Sequence, residues 1–215
     1  MVIIAFVSEE HEERRHFLQA IGGRHGILDS GLPGLAFVVA YTVSGQQLNA
    51  AIWTAVAIGA VLFGIRVVRR ETIQFALAGF IGVAMAAFIA KQTGRAEDFF
   101  LPGLFLNLGY AAAYAISIAV RWPLLGVIVG PLNNEGMEWR NDPKRLKLYS
   151  RASWIWVGVF VVRLAVQLPL YFAGELVALG VAKTAMGFPV FALAAWLSYL
   201  ILREGGWKMK TEVSS

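Results

Sequence analysis

Ala50-Ala-Ile-Trp53-Thr-Ala-Val-Ala-Ile-Gly-Ala-Val-Leu-Phe-Gly-Ile-Arg66-Val-Val68 runs for nineteen residues with one charge, close to its end. At about 1.5 Å per residue a helix of this length matches the roughly 30 Å hydrocarbon core of a bilayer. The bilayer offers no water to backbone N–H and C=O groups, so such a run must be helical. The same reading, carried outward, finds spans at Leu28 to Ser44, Ile73 to Ala90, Phe99 to Val120, Ala152 to Phe172 and Leu176 to Leu202. The expected fold is all-α: a polytopic membrane protein with six transmembrane helices.

Composition agrees. Of 215 residues, 58% are hydrophobic and only 15% charged, whereas soluble domains approach one quarter charged. Mean hydropathy is +0.62. The absence of cysteine excludes disulfides, thiol catalysis and cysteine metal sites. The net charge of +5 follows from orientation and calls for no nucleic acid.

Basic residues sort by side. Arg14, Arg15 and Arg24 precede the first span; Arg66, Arg69 and Arg70 follow the second. Arg121, Arg140, Lys144, Arg145, Lys147 and Arg151 lie between the fourth and fifth, and Arg203, Lys208 and Lys210 follow the sixth. The alternate loops hold only Lys91 and Arg95. By the positive-inside rule both termini are cytoplasmic. Residues 1–27 form a cytoplasmic segment, amphipathic or disordered, with Phe17, Leu18 and Ile21 as its apolar side; Met1 to Val7 is too short and lacks the basic start of a signal peptide. Residues 28–203 form the membrane domain, in halves of about 28–91 and 98–203, and 204–215 a cytoplasmic tail. Trp122 to Leu132 is apolar but too short to cross and reads as an interfacial or re-entrant piece. The loop from Asn133 to Tyr149 is the one long cytoplasmic connection.

The halves share a motif. Asp29-Ser-Gly-Leu-Pro33-Gly34-Leu35 returns as Asp98-Phe-Phe-Leu-Pro102-Gly103-Leu104, with Tyr41 and Tyr110 equally far downstream. Three spans separate the copies, so the halves are expected to run in opposite directions, as inverted repeats do in secondary transporters. Asp is a preferred helix N-cap and Pro is tolerated in a first turn, so each acid is expected to start a membrane helix. Small residues every four positions, Ala78-Gly82-Ala86-Ala90 and Gly109-Ala113-Ser117, are expected to mark close helix contacts.

Two basic residues fall inside spans. Arg163 is nine residues beyond Trp154, about 14 Å along the helix and near mid-membrane. A charge there costs at least about 2.5 kcal/mol on insertion scales, so it needs a partner, either a fixed salt bridge to Asp98 or Glu97 or a ligand. Gln167 shares its helix face, and together they suit an anion, a carboxylate or a carbonyl. Capping does not explain Arg163. Lys183 lies about 10 Å from the end of its span and can snorkel. Asn107 is suited to an interhelical hydrogen bond or a ligand contact. Of the aromatic residues, Tyr41, Trp53, Tyr110, Tyr114 and Phe160 are the candidates for a cavity wall, while Trp122, Trp154, Trp156, Tyr171, Phe172 and Trp207 flank spans, where aromatic belts form.

His11, His16 and His25 all precede the first span, which leaves no histidine inside the membrane for a metal or a general base. No metal or other cofactor is expected, and no phosphate-cradling glycine loop occurs.

Residues 31 to 42, Gly-Leu-Pro-Gly-Leu-Ala-Phe-Val-Val-Ala-Tyr-Thr, resemble a known family, as do Thr-Gly-Arg-Ala-Glu-Asp-Phe-Phe-Leu-Pro-Gly at 93 to 103, Arg-Trp-Pro-Leu at 121 to 124 and Arg-Leu-Ala-Val-Gln-Leu-Pro-Leu-Tyr at 163 to 171. This family of actinobacterial integral membrane proteins is catalogued as a domain of unknown function, number 3159 in its series. The resemblance covers about Leu18 to Arg203. It implies a multi-pass protein of the bacterial cytoplasmic membrane and no established activity.

Three functions compete. The leading expectation is a transporter or ligand-binding protein that holds a small anionic or amphipathic ligand, with Arg163 and Gln167 as contacts, Asn107, Lys183, Tyr41, Tyr110, Tyr114 and Trp53 around them, and a homodimer as a natural way to complete a path. The second is an integral-membrane enzyme on prenyl or lipid chains, such as a proton-initiated terpene cyclase, with Asp29 or Asp98 as the catalytic acid and the aromatic residues stabilising a cation. The third is a scaffold recruiting partners through the basic loop from Arg140 to Arg151.

Overall fold

The computed structural model describes residues 23–69, 73–132 and 136–204. The N-terminal segment to residue 22 and the tail from residue 205 lie outside the described residues, and so do the expectations placed on them. The described residues are helical with no strand. The chain divides into two compact units, 1–99 and 100–215.

The first unit is a helical meander of α1 (Gly23–Val43), α2 (Leu48–Val68) and α3 (Ile73–Thr93). The α1 helix packs on α2, and α2 on α3. Gly59 makes the second contact close, since a Cβ there would sit 3.4 Å from the Val83 side chain. On α1 the ring of Phe37 is fully buried and stacks on Phe99 at 4.1 Å.

The second unit is organised around one long helix. A 3₁₀ turn (Ala96–Phe100) leads into α4 (Leu101–Ala119), followed by the short α5 (Leu124–Leu132), a second 3₁₀ turn (Glu138–Asn141), α6 (Pro143–Phe172), α7 (Leu176–Ala185) and α8 (Phe188–Glu204). Helices α4, α5, α7 and α8 all pack on α6. Asp142 caps α6, accepting a hydrogen bond from the Lys144 N–H at 2.8 Å, and Pro143 occupies the first turn, where no N–H is needed. The α6–α7 hairpin closes on Gly174, whose φ of +73° lies in the left-handed region. The Glu175 N–H reaches the Leu170 carbonyl and the Gly174 N–H that of Tyr171, the paired bonds of a Schellman ending.

Among the described residues five helical stretches are long and apolar enough to cross a membrane: Leu48–Val68, Ala76–Thr93, Ala96–Ala119, Pro143–Phe172 and Leu176–Arg203. The apolar part of α1, Gly31–Val43, is shorter. The fifth expected span begins nine residues earlier than Ala152, because the Asp142–Pro143 cap starts the helix while the sequence is still basic. The last span is not one helix but two, interrupted at Met186 and Gly187.

Several local expectations are corrected. Asp29 does not start a helix: α1 begins at Gly23, which puts Asp29 and Pro33 in its interior. Asp98 lies in the 3₁₀ turn before α4, is buried, and is not the cap of α4, which falls on Phe100. The strip Gly109-Ala113-Ser117 is not the packing face of α4, since Gly109 and Ala113 are exposed; Leu104, Asn107, Ala111, Tyr114 and Ser117 are the buried positions. On α3, Ala86 and Ala90 are buried while Ala78 is exposed.

The stretch Trp122 to Leu132 contains a nine-residue helix, α5, and this helix anchors the following loop. Trp139 is 1% exposed and lies across Gly126 and Gly130, where an added Cβ would come within 2.9 and 2.5 Å of the indole. Leu125, Tyr149, Ala152 and Leu202 complete that cluster.

Candidate functional site

The buried face of α6 reads Tyr149, Ala152, Ser153, Val157, Phe160, Arg163, Gln167 and Tyr171. The three- and four-residue spacing makes one stripe facing the other helices. Arg163 and Gln167 occupy positions of that stripe where apolar residues would ordinarily stand. They are 7% and 2% exposed.

Arg163 faces the interruption between α7 and α8. Its Nη1 donates to the carbonyl oxygen of Met186, the C-cap residue of α7. The end of a helix presents carbonyls without intrahelical partners and a partial negative charge, so a guanidinium is a matched partner. A capping argument therefore does explain part of Arg163, contrary to expectation. The cap belongs to a helix end that hydropathy does not reveal. The Phe191 ring on α8 lies 5.0 Å from the guanidinium carbon and covers one face of the group, within the usual cation–π range.

Donors remain. Arg163 Nε and Gln167 Nε2 are both buried and without a hydrogen-bond partner. Buried polar groups are nearly always paired, so two orphan donors one helical turn apart mark a place where an acceptor belongs.

Lys183, on the last turn of α7, extends to the first turns of α4. Its Nζ lies 4.8 Å from the centre of the Phe100 ring, and a Cβ added at Gly103 would be 3.3 Å from it.

Tyr110 and Tyr114 on α4 pack on Phe160, with ring centres at 5.3 and 6.1 Å, and Tyr114 also stacks on Trp156 at 6.0 Å. Tyr110 remains 51% exposed, whereas Tyr114 is buried. The Trp156 Nε1–H donates to Ser198 Oγ at 3.1 Å, tying α6 to α8. Asn107 is buried on the face of α4 that carries Tyr114.

Arg163, Gln167, Lys183, Asn107, Tyr110 and Tyr114 thus all belong to the second unit. The other sequence candidates belong to the first unit. Asp29 lies within α1. Tyr41 is half-buried, its ring 6.4 Å from that of Phe37. Trp53 is 67% exposed on α2. A cavity of about 160 Å³ in that unit is lined by Gly59, Leu62, Phe63, Arg66, Phe80 and Val83 among others, none of them a sequence candidate. Among the described residues no three His, Cys, Asp or Glu side chains are grouped to hold a metal ion.

Sequence reasoning missed Met186 and Gly187. The signal was Gly187-Phe188-Pro189: a Gly where one helix stops and a Pro in the first turn of the next.

The family described as "Protein of unknown function (DUF3159)" matches residues 21–208. The chain belongs to this family. The match includes every described residue of the DUF3159 chain, the break at Met186 and its Arg163 partner among them. No curated protein and no solved structure gives a significant match.

Proposed function

We propose that this DUF3159 protein binds a small anionic ligand within the membrane and carries it across. Arg163 and Gln167 make the contacts, and Lys183 adds positive potential. The observation that supports this is the pair of buried, unpartnered donors, Arg163 Nε and Gln167 Nε2, beside an interrupted span. Discontinuous helices with free backbone ends are where secondary transporters build their sites. On this reading α1 is the sixth crossing, both termini are cytoplasmic, the two halves are inverted, the protein resides in the cytoplasmic membrane, and two copies complete the path.

The test is a ligand-binding screen on the purified protein and on Arg163→Ala, with anionic and neutral small molecules. The expected result is saturable binding of an anion that Arg163→Ala abolishes while accumulating in the membrane as a single species. Failure of the wild-type protein to bind any anion would overturn the reading.

A further inference from the structure

The chemistry of the orphan donors narrows the ligand. We infer that it is a carboxylate, one oxygen taken by Arg163 Nε and the other by Gln167 Nε2; this rests on the anion-binding reading above.

Both orphan atoms are N–H donors that accept nothing, so their partner must supply acceptors. An ionised carboxylate is acceptor-only, with two oxygens and about four lone-pair directions. A hydroxyl or an amide would bring protons of its own that need acceptors, whereas a carboxylate brings none.

The guanidinium is also spent on one side. Nη1 is held by Met186 and one face lies against Phe191, which leaves the in-plane edge carrying Nε. A planar carboxylate meets such an edge side-on. Gln167 lies one turn further along the same stripe, so its amide is placed to take the second oxygen.

Charge points the same way. A monoanion neutralises one guanidinium. A phosphate ester carries about −1.5 to −2 at neutral pH and would need a second cation in contact, but the Lys183 ammonium lies over the Phe100 ring.

The test uses the full chain in lipid nanodiscs, titrated with sodium acetate, sodium benzoate, sodium phosphate and sodium chloride at matched ionic strength. Thermal unfolding and calorimetry are the readouts. The expected result is a saturable upward shift with a carboxylate and none with phosphate or chloride. Gln167→Glu places a carboxylate of the chain's own beside Arg163; it should unfold at higher temperature than wild type without additive and lose the response to added carboxylate at least tenfold. Arg163→Lys, which keeps the charge but not the planar edge, should weaken the response about tenfold. A saturable response to phosphate alone would overturn the carboxylate assignment and leave the anion-binding reading standing. A response to carboxylate that survives Gln167→Glu would overturn the placement. No response to any anion would overturn both.

Discussion

Arg163 and Met186 are joined side chain to backbone: the guanidinium of the central helix closes the free carbonyl end of α7 at the point where the last span is interrupted. A charged donor on a buried carbonyl contributes about 1.5 to 3 kcal/mol. Arg163→Ala is therefore expected to loosen the joint locally. Hydrogen–deuterium exchange should quicken at residues 186–191 and stay unchanged at 143–155. Equal exchange at the joint in both proteins would show that Met186 does not depend on Arg163.

Trp139 is held by two glycines. A Cβ at position 130 would meet the indole nitrogen at 2.5 Å and the Gly136 carbonyl at 2.8 Å. Neither the helix backbone nor a fully buried Trp can move without disturbing the cluster. Gly130→Ala is expected to lower stability by about 1 to 3 kcal/mol, the usual cost of overpacking. Its tryptophan emission should shift to longer wavelength relative to wild type, a difference that should vanish in a Trp139→Phe background.

Gly174 is the hinge of the α6–α7 hairpin, with φ at +73°. A β-carbon in the left-handed region costs about 1 to 2 kcal/mol. Gly174→Ala should reduce the thermal unfolding temperature measurably, and Gly174→Asn should reduce it less, since Asn tolerates this conformation better than Ala.

Asp142 supplies the side-chain bond that starts α6. Asp142→Ala should cost about 1 kcal/mol. Asp142→Ser, which keeps an oxygen in place, should recover most of it in the same unfolding measurement.

Much of the membrane architecture is legible in the sequence because hydropathy is additive along a chain: Leu48–Val68 is apolar enough to be recognised with no knowledge of its neighbours. The buried polar pair on α6 is legible for a similar reason, since Arg163 and Gln167 are four residues apart and must share a side. What escaped were the features that depend on competition between local signals. The Gly187-x-Pro189 pair stops and restarts a helix inside a run whose average hydropathy is that of one span. Trp139 lies in a loop rich in polar residues, and only the spacing of Gly126 and Gly130 on a separate short helix provides its seat. Asp29 illustrates the reverse error: a residue suited to capping stands inside a helix that had already begun six residues earlier. The repeated motif thus spans two different local structures, a helix interior at Asp29 and a turn entering a helix at Asp98.

The Arg163–Met186 bond also bears on biogenesis. Arginine at the centre of a lone helix opposes entry into the bilayer by about 2.5 to 3.5 kcal/mol. The oxygen that receives its proton lies 23 residues further on, beyond the Gly174 turn, and is synthesised later. The hairpin from Pro143 to Gly187 is therefore the smallest stretch of this chain that brings Arg163 together with the helix end that receives it. Translation must run well past the helix that carries the charge before the membrane can accept it on favourable terms.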